Sequence, residues 1–251
     1  LKLINCANLH RTQFDADGNI LEVQIAKSLN HPNVVKYHDN GEVVLDGRKF
    51  AYIVFDYISG ETVSQYVARE GCLSVYDAKT IVIGILNGVK FLHALQEPVI
   101  HNELTIQNVM LDMSKGTNVP RIIDFGYARY LSQGSSAFNK KGLNPFYSAP
   151  EVLNGVFSVK SDIFSVGAIL YNLIFGIPPY FVDLSECKDD LTAQRVKIEA
   201  QQELPLHIPD ENKFELDEQV TNIMRKALAT DIAERFESAD EFIRALNGEI
   251  K

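Results

Sequence analysis

The chain has 251 residues, 46% hydrophobic and 23% charged, which excludes disordered and collagenous classes and leaves an ordinary globular protein able to bury its own core. Its 24 Lys and Arg against 33 Asp and Glu give a net charge of −9, a surface field that repels nucleic-acid backbones and anionic lipid. Cys6, Cys72 and Cys187 are odd in number and have no C-x-x-C spacing, so they indicate neither a disulfide framework nor a zinc site.

No apolar run approaches the ~18 residues of a membrane span, and no signal peptide is evident. With no N-x-[ST] site and this cysteine usage, a cytoplasmic protein is expected. The chain opens on Leu1 in what reads as the middle of a fold, so further sequence, and a longer multidomain chain, is expected around it.

In chain order, a short apolar run at Lys2 to Cys6 comes first. Leu21, Ile25 and Leu29 then recur at helical spacing and stop before His31-Pro32. Asn33 to His38 is β-rich, and Gly41 to Leu45 and Phe50 to Tyr57 predict strands around the turn Asp46-Gly47. After Ser59-Gly60 the pattern turns helical. Ser74 caps a helix with Ala78, Ile81, Val82, Ile85, Val89 and Leu92 on one face, and further helices are expected over Asp162 to Phe175 and Asp217 to Ala229. A final helix follows with a capping box, Ser238 with Glu241, and ends at Gly248. Asp15-x-Asp17-x-Asn19 starts like a calcium loop, but Ile20 and Ala26 stand where its Gly and bidentate Glu belong, so a solvated turn and helix start is expected.

The chemistry concentrates in His101-Asn102-Glu103-Leu104, Asn108, and Asp124-Phe125-Gly126 at the end of an apolar run. An acid, an amide five residues on and a second acid can converge on a metal and a phosphate, with Asp124 and Asn108 as hard oxygen ligands for Mg²⁺. Ala149-Pro150-Glu151 follows Asp124 by 25 residues, Ser161-Asp162-Ile163-Phe164-Ser165-Val166-Gly167 comes next, and Arg235 closes Asp231-Ile232-Ala233-Glu234-Arg235. In this order the pieces resemble the eukaryotic-type Ser/Thr protein kinase family along essentially the whole chain.

The resemblance implies an α+β, bilobal fold. Residues 1–58 would be a partial β-rich N-lobe and 59–251 a helical C-lobe, with the Gly-rich loop expected upstream of Leu1. It implies ATP and Mg²⁺ as cofactors and a protein partner or substrate. Lys2 falls on the phosphate-holding strand lysine and Glu22 on its helix partner. Phe55 sits at the gatekeeper position and Asp56-Tyr57-Ile58 at the adenine-reading hinge; Asp56, Ile58 and Met110 join Lys2 and Glu22 as nucleotide-binding positions. Glu103, Asn108, Asp124 and Lys2 are the candidate catalytic residues, and Asn108 and Asp124 the candidate metal ligands. Glu151 would pair with Arg235, Asp162 would brace the catalytic loop, and His101, Phe125, Ala26 and Tyr37 would form a column between the lobes, Tyr37 filling the space that Ala26 leaves.

The departures fall on one side of the site. Glu103 replaces the Asp of H-R-D, Thr105 stands where a lysine holds the γ-phosphate, Asn144 replaces the Thr that links them, and Asn102 replaces the Arg that receives an activation-loop phosphate. Ser132, Ser135 and Ser136 could be phosphorylated, with Lys140 and Lys141 as the only basic substitutes for that Arg. The expected function is therefore an Mg-ATP-binding pseudokinase acting as scaffold or switch. An active Ser/Thr kinase using Glu103 as base is the alternative, and a small-molecule phosphotransferase ranks third because that class generally lacks the Ala-Pro-Glu and Ser-Asp segments.

Overall fold

The computed structural model describes residues 1–114, 116–134, 143–183, 206–209 and 216–250, with single residues 185, 187, 189, 192, 196 and 200 between them. Its architecture is α+β and bilobal, as the sequence predicts: an antiparallel sheet with one short helix comes first, and a helical body follows.

The first sheet has the order β1-β3-β2, from β1 (Lys2–Asn5), β2 (Tyr37–Leu45) and β3 (Arg48–Phe55). The turn Asp46-Gly47 has φ of 48° and 72°, the left-handed pair that a two-residue hairpin of matching twist requires. Two separate strands were expected around residues 33–45; instead Tyr37–Leu45 is one strand with an irregularity between Tyr37 and Asp39. Val34 leaves this sheet altogether and bridges Ile122. Helix α1 (Leu21–Lys27) begins only one residue before Glu22. Ahead of it the Asp15 carboxylate accepts the N–H groups of Asp17 at 3.0 Å and Asn19 at 2.8 Å, so this stretch is a self-capped turn rather than a helix start.

A second antiparallel sheet, β4 (Gly60–Thr62), β6 (Val109–Asp112) and β7 (Val119–Ile122), and a pair of β5 (Val99–Ile100) with β8 (Arg129–Tyr130) carry the loops of the site. Helix α2 (Val63–Glu70), which the apolar spacing did not reveal, is held by a Thr62/Gln65 capping box. Helix α3 (Val75–His93) is capped by Ser74 and buries the face the sequence predicts. Helix α4 (Pro150–Leu153) leads into α5 (Val159–Phe175), which is buried from Ser161 to Phe175 and so forms the core of the helical body. Its cap is Ser158, four residues before the helix that the sequence predicts.

Helices α6 (Glu218–Ala227) and α7 (Ala239–Leu246) cover the far side. The expected box at Ser238 is only half made: Ser238 caps the Glu241 N–H, but the Glu241 carboxylate accepts from the Glu237 N–H at 2.6 Å and from Lys226.

The two lobes meet along a seam. The Asn33 carbonyl accepts from Ile122 N–H, its side-chain amide donates to Pro120 C=O, and Val35 N–H donates to Ile122 C=O, each at 2.9 Å. Helix α3 approaches closely because it carries Gly84 and Gly88 there; a Cβ on Gly88 would sit 2.8 Å from Ile122 Cδ1 and 2.9 Å from the Asn33 carbonyl oxygen.

Candidate active site

Strand pairing sets Lys2 opposite Ile53 on the edge of the first sheet, and α1 presents Glu22 from its first turn. Lys2 Nζ lies 2.5 Å from Glu22 Oε1 and 2.7 Å from Asp124 Oδ1. Burial pulls the Lys2 ammonium down, but Glu22 and Asp124 outweigh it and hold the lysine above its ordinary range. Burial also pushes Glu22 up, more than Lys2 draws it back, while Lys2 outweighs burial at Asp124 and keeps that carboxylate low. Asp124 adopts φ 61°, and its Oδ1 accepts the Gly126 N–H at 3.1 Å. A Cβ on Gly126 would fall 3.3 Å from Asp124 Oδ1 and 3.6 Å from both Glu22 Oε2 and Lys2 Nζ, so the glycine leaves the space these charges enclose.

The loop from His101 to Asn108 is fixed from below by Asp162. This fully buried carboxylate accepts the His101 N–H at 2.9 Å and the Asn102 N–H at 3.0 Å, with His93 Nε2 at 2.9 Å. His101 packs edge-on against Phe125 at 4.9 Å and is pulled below its ordinary value by burial. Asn102, at φ 64°, donates from its amide to the carbonyls of Ile100 and Tyr127, and its Oδ1 has no partner among the described residues.

Asn108 Nδ2 donates to the Glu103 carbonyl at 2.9 Å, which leaves Asn108 Oδ1 as an oxygen donor. Glu103 is pushed up to about 7, by burial first and then by the neighbouring Asp124 charge. Thr105 Oγ1 is spent on the N–H groups of Gln107 and Asn108, both at 3.3 Å. Asn144 Oδ1 likewise caps its own loop at Phe146 N–H, 3.1 Å. Neither residue brings a cation to the site.

The donor set fits a hard divalent ion. One carboxylate and one amide oxygen are what Mg²⁺ takes from a protein when nucleotide phosphates complete its shell, and no group of three or more His, Cys, Asp or Glu among the described residues forms an all-protein cage. Just after β3, Asp56 N–H donates to Lys36 C=O, but neither the Asp56 carbonyl nor the Ile58 N–H makes a backbone hydrogen bond among the described residues. Ile58 is buried, and Phe55 and Met110 are partly buried against the core. Tyr37 is also partly buried there, its hydroxyl donating to Asn40.

Further down, Arg235 is fully buried and grips Glu151 with two bonds of 2.7 and 2.9 Å, stacked 4.9 Å from Phe164. Ser135, Ser136, Lys140 and Lys141 lie outside the described residues; Ser132 donates to Glu97. The expectation that those two lysines are the only basic groups near the missing Arg is corrected: Arg129 is buried beside the Asp-Phe-Gly segment and shares a cavity with Arg11. Sequence reasoning missed both because they lie 118 residues apart and neither belongs to a motif. No helix among the described residues is long and apolar enough to cross a membrane.

Comparison with known proteins follows the same outline. The protein kinase domain family matches residues 3–245. The chain is 31% identical over 182 residues, 72% of its length, to calcium-dependent protein kinase 4 of Plasmodium falciparum. It is 26% identical over 230 residues to a probable serine/threonine-protein kinase PknB of Bifidobacterium longum and 28% over 224 residues to serine/threonine-protein kinase PknB of Mycobacterium leprae, in each case across 88% of the chain. These matches cover 33%, 31% and 34% of the relatives, so the chain spans about a third of their length.

Proposed function

This chain belongs to the eukaryotic-type protein kinase family, and we propose that within it the domain binds Mg-ATP, transfers phosphate weakly or not at all, and acts on a protein partner as a scaffold or switch. The observation that carries this reading is the asymmetry of the site. Lys2, Glu22 and Asp124 are joined in one ion network, whereas Thr105 and Asn144 spend their polar atoms on their own loops. Asn108 and Asp124 would hold Mg²⁺, which supplies charge neutralisation to the phosphates when bound. Lys2 would neutralise a phosphate, and the Asp56 carbonyl and Ile58 N–H would read adenine over Met110. In this reading residues 1–58 and 59–251 are the two lobes that close on the nucleotide.

Phosphoryl transfer lacks a cation where the γ-phosphate charge would be offset. Losing one such donor costs roughly 10²- to 10³-fold in rate. One observation favours the alternative of an active Ser/Thr kinase: Glu103 at about 7 has the proton affinity of a general base working near neutral pH.

A thermal-shift titration with ATP, with and without Mg²⁺, tests the binding claim. At 100 times Kd the gain is about 2.7 kcal/mol. No shift in the parent, with Asp124→Ala behaving identically, would overturn it. Robust phosphorylation of a protein, abolished by Glu103→Ala, would replace the pseudokinase reading by the active one.

A further inference from the structure

The first sheet breaks its register at one place. Tyr37 pairs with Phe55 and Asp39 with Val54, so β2 has three residues where β3 has two, and His38 faces no partner on the neighbouring strand. An extra residue of this kind bends its strand and re-aims its side chain. Here the imidazole reaches the first residue after β3: His38 Nε2 hydrogen-bonds Asp56 Oδ1. Nε2 can donate in either ionisation state of the ring, whereas the carboxylate can only accept.

Asp56 is held by its backbone as well. Its N–H donates at 2.9 Å to the carbonyl of Lys36, the residue between β2 and the Val35–Ile122 bond of the seam. With amide and carboxylate both fixed, two of the bonds at Asp56 Cα are set, and the carbonyl carbon cannot swing independently of them. Two residues on, Ile58 is 7% exposed in the core, and Ser59 C=O accepts Met113 N–H at 2.9 Å. Between these anchors Tyr57 is 92% exposed and makes no hydrogen bond among the described residues. The peptide planes that carry the Asp56 carbonyl and the Ile58 N–H are therefore steadied by His38 at one end and by Ile58 burial at the other. The Lys49–Glu42 pair of the same sheet differs: it is 2.8 Å long, more exposed, and lies where strand pairing already fixes the backbone.

We infer that His38 is a positioning residue for the nucleobase, acting through the Asp56 carboxylate to set the direction in which the Asp56 carbonyl and the Ile58 N–H are presented. The inference rests on the Mg-ATP reading proposed above and deepens it. Part of the adenine affinity is assigned to a side chain on the neighbouring strand, while Lys2, Asn108 and Asp124 answer for the phosphates.

The test starts with amide hydrogen exchange on the nucleotide-free chain. His38→Phe keeps a ring and removes the donor, and should speed exchange at Tyr57 and Ile58 by about fivefold, the upper end for a partly exposed pair. His38→Gln, whose amide still donates, should restore the parent rate, and Lys49→Gln should leave it unchanged. Asp56→Ala removes the acceptor instead; it should repeat the effect, and the double variant should add nothing further. In calorimetry, adenosine should bind His38→Phe about fivefold more weakly, with magnesium tripolyphosphate bound as in the parent. Unchanged exchange in both single variants overturns the inference, and so does exchange that rises equally across β2 and β3, the mark of a loosened sheet. Adenosine and tripolyphosphate weakened alike would overturn it too. A parent that binds neither adenosine nor Mg-ATP fails the underlying reading and the nucleobase role with it, and the exchange rates show separately whether His38 steadies the segment.

Discussion

The Asn102 N–H donates across 3.0 Å to the Asp162 carboxylate from a backbone held at φ 64°, so a left-handed residue of the His101–Asn108 loop is tied to the first turn of α5. Asp162 is 0% exposed and also receives His101 N–H and faces His93 Nε2. Asp162→Ala strands those buried donors at once. It should destabilise the chain by about 3–5 kcal/mol in denaturant unfolding, because an unsatisfied buried polar group costs its full desolvation. A loss below 1 kcal/mol would mean that the loop does not depend on this brace.

Glu103 makes stability depend on pH. Its folded value of about 7 lies above the ordinary 4.5, so the folded chain keeps a proton that the unfolded chain releases. The contribution is complete below pH 4.5 and is lost as pH rises through 7. At pH 8 the buried charge should make the parent less stable than Glu103→Gln by roughly 2–3 kcal/mol, and the two should converge near pH 4. Unfolding curves that differ by the same amount at both pH values would contradict this.

Glu103→Asp alone should fail to restore phosphoryl transfer, because Thr105 and Asn144 still bring no cation. The combined Glu103→Asp, Thr105→Lys and Asn144→Thr variant should gain roughly 10²- to 10³-fold in a radiolabel assay. It gives up the Thr105 cap on Gln107 and Asn108 and the Asn144 cap on Phe146, so circular dichroism should accompany the assay. A folded triple variant as inactive as the parent would show that the missing cation is not the limiting defect.

Gly126→Ala places a methyl 3.3 Å from Asp124 Oδ1 and 3.6 Å from Lys2 Nζ. The fold should lose no more than about 1 kcal/mol, since only side-chain ends need to shift. The Mg-ATP stabilisation should nevertheless fall by half or more in the same thermal-shift series. An unchanged ATP response would mean that nucleotide does not use this pocket.

The ion network was legible in the sequence because its members carry spacing: Lys2 and Glu22 stand 20 residues apart across one strand and one helix, and Glu151 and Arg235 each sit in a recognisable segment. Asn102 could be read only as a missing Arg. That its amide would bond two carbonyls and orphan its own Oδ1 depends on which backbone surrounds it, which no local pattern encodes. The same holds for Asn33 to Lys36, whose β-branched content predicts a strand while tertiary pairing with Ile122 claims the segment. Arg11 and Arg129 met only through folding.

The Asn33–Ile122 seam acts as a fulcrum. Any rocking of the β1-β3-β2 sheet over the helical body has to turn about residues 33–35, because three backbone and amide bonds tie them to β7 while Gly84 and Gly88 let α3 press from behind. A lever so mounted opens widest far from its pivot, at β1 and the loop before α1. The Lys2–Glu22 pair rides on that moving arm, whereas the end of β3, where Asp56 N–H is bonded to Lys36 next to the pivot, travels least. In the proposed Mg-ATP reading, adenine and phosphates would therefore be governed separately: the first by a nearly stationary edge, the second by a swing that carries its lysine toward or away from Asp124.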